Sequence, residues 1–160
     1  WARAHLPEQY VAIKIRSGDF LRTYWLPKSK EPVMTCFEKL VEATKYYLAK
    51  MGMPLDTPVF LATEWPDPPE GRWNYAVTAM LTEAFNKFHA KLNLVTYVNA
   101  SFDIGIVTLI QFYMLLNSAV VVAIEDTMLQ LVRQYNPELP VAAVGGQSGR
   151  VCNNWNPPAS

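Results

Sequence analysis

Five short apolar runs alternate with longer stretches of helical periodicity along this chain. Tyr10 to Ile15, bounded by Pro7 and by Ser17-Gly18-Asp19, has the length and composition of a buried strand. Glu31 to Met51 follows as a helix, with Phe37, Leu40, Val41, Leu48 and Met51 at helical spacing and Gly52 and Pro54 to stop it. Pro58 to Ala62 is the second strand. Asn74 to Leu92 is the second helix, with Val77, Leu81, Ala84, Phe85 and Phe88 on one face. Leu94 to Val98, Ala119 to Ala123 and Val141 to Val144 complete the strands. The helices between them are Asp103 to Leu116, with Asp103 as its N-cap, and Asp126 to Tyr135, closed by Asn136-Pro137.

Apolar strands separated by amphipathic helices imply an α/β domain, a Rossmann-like, mostly parallel sheet with helices on both faces. Right-handed crossovers then bring every strand-to-helix loop to the carboxyl edge, where ligands bind at the topological switch point. The expected organisation is a single lobe over residues 1–150 and an irregular tail over 151–160, rich in Asn, Pro and Ser. Ile104 to Ile124 carries no formal charge over a bilayer-spanning length. Thr108, Gln111, Asn117 and Ser118 interrupt it, and Asn117-Ser118 ends a helix ahead of the β-branched run Val120 to Val122. The stretch therefore reads as a buried helix leading into a buried strand, with no membrane span.

Composition narrows the classes. The 160 residues are 51% hydrophobic and 18% charged, which is globular, and 14 basic residues balance 14 acidic ones. No basic surplus points to nucleic acid. The chain opens on Trp1 without an initiator Met or a signal peptide, as a processed or truncated chain would. Cys36 and Cys152 have no metal-ligand spacing, and His5 and His89 stand apart, so no metal is expected. Spacing leaves a Cys36–Cys152 bridge open and favours a buried thiol at 36 with a separate thiol in the tail.

The expected working edge carries Arg16, Ser17, Gly18 and Asp19 after the first strand and Thr63 and Glu64 after the second. It carries Asn99 and Ser101 after the third strand, and Glu125, Asp126 and Thr127 after the fourth. Neither a glycine-rich dinucleotide fingerprint nor a phosphate loop is present. Arg16 is placed to fork onto a phosphate or carboxylate, with Asp19 holding the guanidinium, or to form a structural pair with Asp19 that pins the turn. Asp126 and Thr127 open the last helix, where backbone amides receive a phosphate or Asp126 simply caps. Glu64 is either a ribose or base ligand or a solvated loop acid. Trp65, Trp73 and Tyr75 either stack on a base or pack the loop. Asn99-Ala100-Ser101 matches an N-glycosylation acceptor, which matters only in a secretory chain.

Tyr10-Val-Ala-Ile-Lys-Ile-Arg-Ser-Gly-Asp-Phe20 resembles the strand-and-turn motif of the GDP-fucose-dependent protein O-fucosyltransferase and nodulation-fucosyltransferase group. There an apolar strand ends in His-x-Arg and often runs on to Gly-Asp-Phe. Val59 to Glu64 looks like the second strand of that group, and Leu115 to Met128 resembles its final strand and helix start. The similarity spans roughly Tyr10 to Arg133. Lys14 stands where the family has histidine, and Glu125-Asp126-Thr127-Met128 stands where it has small hydroxyl residues.

The resemblance implies the carboxyl-terminal, nucleotide-sugar-binding lobe of a two-lobed inverting glycosyltransferase, with GDP-fucose or a related GDP-sugar as donor and no metal cofactor. A protein or glycan would be the acceptor, an acceptor lobe would precede Trp1, and the lumen of the ER or Golgi would be the compartment in a eukaryote. Arg16 would contact the diphosphate and act catalytically. Gly18 and Asp19 would join it in binding the donor, Glu64 and Asp103 would orient sugar or guanosine, and Asp126 and Thr127 would hold a phosphate. The alternative is a non-catalytic member of the same fold, kept as a structural or interaction module, because Glu125 and Asp126 would repel a diphosphate.

Overall fold

The five apolar runs pair into one sheet. The computed structural model describes residues 1–15, 31–63, 83, 86–97, 103–124, 127–145, 152, 155 and 158, with the backbone alone at 31–33 and 104. Strands β1 (Val11–Ile15), β2 (Val59–Thr63), β3 (Leu94–Val95), β4 (Val120–Ile124) and β5 (Val141–Gly145) lie in the order β3-β2-β1-β4-β5, and every pair is parallel. β1 is central and fully buried because both of its faces are covered. That accounts for its near-continuous apolar sequence, in which Lys14 is the one polar residue. The protein has an α/β, Rossmann-like fold.

The chain winds outward from β1 in one direction to β2 and β3, then restarts beside β1 with β4 and β5. Right-handed crossovers send helices to opposite faces on the two sides of that reversal. α2 (Glu31–Lys50) and the helical residues 86–89 cover one face, where Phe37 meets Phe88 with ring centroids 5.0 Å apart. The core there includes Ile13, Leu40, Leu48, Leu61 and Val122. α3 (Ile104–Leu116) and α4 (Thr127–Tyr135) cover the other face, packing Leu115, Leu129 and Val132 onto Ala12, Phe60 and Val121. Alternation along β1 thus divides its residues between two cores.

Most expected boundaries hold to within one or two residues. Of the expected helix at 74–92, residues 83 and 86–92 are described, and 83 and 86–89 are helical. β3 is shorter than expected, because pairing to β2 stops at Val95 and an edge strand has no second neighbour to extend it. A short helix, α1 (Ala2–His5), was not expected. It is held by a local stack of the Trp1 ring on His5 at 4.7 Å and by a tertiary contact of that ring with the edge of Tyr97 at 5.3 Å.

The expectation of two separate thiols is corrected: Cys36 and Cys152 form a disulfide, with their Cα atoms 4.9 Å apart. The topology supplies the reason. α2 runs antiparallel to the strands, so its first turns lie at the carboxyl edge, the edge from which the chain leaves β5. Trp155 also comes back onto α2, where its ring meets Tyr46 at 5.8 Å, and it is buried. The segment expected as an irregular tail contributes two residues to the core.

Tyr10, just before β1, donates its hydroxyl proton to the Met114 carbonyl of α3 at 2.6 Å. Burial, and secondarily Tyr113, push its pKa from 10.0 up to about 12. The fold thus favours the neutral phenol. That stabilisation is complete below about pH 10 and is lost as pH rises toward 12. Thermal melts are expected to show a falling Tm across that window. Tyr10→Phe is expected to flatten the fall and to cost about 1 kcal/mol at neutral pH for the lost hydrogen bond.

Candidate functional site at the sheet switch point

The crevice of a doubly wound sheet opens where strand order reverses, which here is between β1 and β4. The register places Lys14 beside Ala62 on one side and Ala123 on the other. Two methyl side chains flank the long lysine at the carboxyl end of the sheet. Lys14 is 2% exposed, and its Nζ donates to the Ile15 carbonyl at 3.3 Å. The ammonium is thus folded toward the carboxyl edge. Lysine is almost never so buried without polar partners, since desolvating an ammonium is expensive.

On the β2 side, Gln111 of α3 is buried and donates its side-chain amide to the Thr63 carbonyl at 3.1 Å. This ties the α3 helix to the last residue of β2. On the β4 side, the register with β5 shifts between Ala123 and Ile124, so that Ile124 faces Gly145. A bulge of this kind turns a strand end away from its partner.

Arg16 and Glu64 are the residues next in the chain after β1 and β2, and Asp126 immediately precedes α4. Arg16, Gly18, Asp19, Glu64 and Asp126 lie outside the described residues, as do Ser17, Glu125, Trp65, Trp73, Tyr75 and the Asn99-Ala100-Ser101 triplet. Thr127 is exposed and opens α4. The amides of that first turn have no partner within the helix and sit at its positive end.

Asp103 caps α3, accepting the Gly105 amide proton at 2.7 Å. A Cβ at position 105 would come within 2.9 Å of that carboxylate, so glycine there keeps the cap open. Asp103→Ala is expected to lower stability by about 1 kcal/mol, measured by urea denaturation.

Lys14 was visible in the sequence only as a departure from a motif, and Gln111 only as an interruption in an apolar run. The signal was there in both: a polar side chain inside an otherwise apolar element. Among the described residues no three His, Cys, Asp or Glu side chains gather as a metal site, and no helix is long and apolar enough to cross a membrane. No protein-family model matches the chain, and no curated protein is similar enough to count as a relative.

Proposed function

We propose that this domain binds a nucleotide sugar at the carboxyl edge of β1 and β4, and serves as the donor lobe of an inverting glycosyltransferase using GDP-fucose or a related GDP-sugar. The observation that carries this reading is Lys14, a buried ammonium in the central strand, two residues before Arg16 and beside the strand-order reversal. Two basic residues two positions apart in the sequence, the first in β1, suit the two phosphates of a nucleoside diphosphate. The first turn of α4 adds amide donors and a positive dipole end. The sequence similarity supplies the choice of GDP-sugar.

On this reading the acceptor hydroxyl attacks the anomeric carbon from the face opposite the diphosphate. The sugar–phosphate bond breaks and negative charge grows on the leaving GDP. Arg16 stabilises that charge, an effect strongest in a site closed to water. Gly18 and Asp19 shape its turn, Glu64 orients ribose or base, and Asp126 and Thr127 meet a phosphate. An acceptor lobe supplies the protein or glycan substrate. The Cys36–Cys152 bridge favours an oxidising compartment, which suits the lumen of the ER or Golgi.

A non-catalytic role on the same fold is favoured by one observation, the carboxylates of Glu125 and Asp126 ahead of α4. Calorimetric titration separates the two. GDP is expected to bind with preference over ADP and UDP, and Arg16→Ala is expected to lose most of the affinity. A chain that binds none of these nucleotides counts against the donor-lobe reading: the isolated lobe is incompetent or the fold serves structure.

A further inference from the structure

α3 is expected from its sequence to be buried, since all of its faces are apolar. One face is open instead. Ile106 is 47% exposed, Leu109 68% and Tyr113 64%. α4 continues this surface with Leu131, 42% exposed, and Tyr135, 69% exposed. The two helices join where Phe112 meets the Tyr135 ring at 5.9 Å and Asn136 donates to the Leu116 carbonyl at 3.1 Å. Each helix thus presents a leucine and, one turn later, a tyrosine on the same side of the sheet. Contiguous exposed apolar surface of this kind marks an interaction site.

We propose that the α3–α4 face is the interface of a two-fold dimer of this chain. Area and charge select that occupant. The five side chains expose on the order of 600 Å², approaching the ~800 Å² that each partner contributes to a stable interface. α3 carries no formal charge and α4 carries only Arg133, so the patch offers a charged partner little to pair with. It also lacks the row of basic residues with which an interfacial helix holds a lipid surface. A second copy needs neither. In an isologous contact each patch meets itself, so leucines and tyrosines on one copy cover those on the other. The dimer places α3 and α4 of each copy back to back and leaves the carboxyl edges of both sheets open, so it is independent of what binds there.

Sedimentation velocity on the full chain, from about 1 to 100 µM, tests this. The wild type is expected to shift from 18.1 kDa to twice that mass as concentration rises. Leu109→Glu is expected to weaken the dimer at least about tenfold, since it buries a charge in the contact. Tyr135→Lys, at the most exposed position, is expected to do the same while keeping the wild-type circular dichroism and, at concentrations where both chains are monomeric, a Tm within a few degrees of wild type, which separates lost association from lost folding. A wild type that stays monomeric across the range overturns the proposal. So does a dimer unaffected by folded Tyr135→Lys and Leu109→Glu chains, or a monomer that binds neutral phosphatidylcholine vesicles through this face.

Discussion

Reducing the Cys36–Cys152 disulfide is expected to destabilise the domain by about 2–5 kcal/mol. The bridge spans 116 residues of sequence and encloses four of the five strands, so it removes a large share of the unfolded chain's freedom. It also holds the carboxyl-terminal segment against α2, where Trp155 is buried beside Tyr46. Two losses follow on reduction: the unfolded state gains entropy, and the buried tryptophan loses its tether. For a domain of this size a change of about 2–5 kcal/mol moves Tm by roughly 5–20 °C. Thermal melts with and without reductant, alongside Cys152→Ala, measure it. The variant is expected to match the reduced wild type and to show no response to reductant. A Tm that shifts by less than about 2 °C would mean that the bridge adds little to packing already sufficient.

Replacing Lys14 by Met is expected to weaken GDP binding by about 10- to 100-fold while leaving the fold intact. The side chain keeps its length between Ala62 and Ala123, so packing is largely preserved. What disappears is the charge at the carboxyl end of β1. A hydrogen bond to a charged group contributes about 1.5–3 kcal/mol, which is the stated range in affinity. The loss is expected to be similar for GDP and inorganic pyrophosphate, because Lys14 would meet phosphate and not base. If Lys14→Met alters Tm but leaves GDP affinity within about twofold, Lys14 is a structural group of the core and the phosphate site lies elsewhere.

The fold was legible because its strands are buried on both faces. β1, β2 and β4 read as near-continuous apolar runs, broken only by Lys14 and by Thr63 at the end of β2, and that pattern belongs to parallel sheets under helices. What escaped were features set by tertiary contact. α1 depends on the Trp1 ring lying against Tyr97, a contact that no periodicity encodes. The disulfide joins residues brought together by the sheet order, at a separation that hides them from each other in sequence. The open face of α3 was invisible because a helix apolar all round gives no moment to say which side meets the core. For the site, sequence reading correctly names Asp103 as a cap. It passes over Lys14 and Gln111, whose meaning comes from the strands and helix they connect.

The most direct test of the proposed site is an amide chemical-shift titration of the isotope-labelled protein with GDP. Binding at the switch point predicts the largest shifts at Lys14 and Ile15, at Ala123 and Ile124, and in the first turn of α4 from Thr127. It predicts little change at the opposite edge, around Asp56 and Asn93. Shifts concentrated at that opposite edge, or none at millimolar GDP, would contradict it.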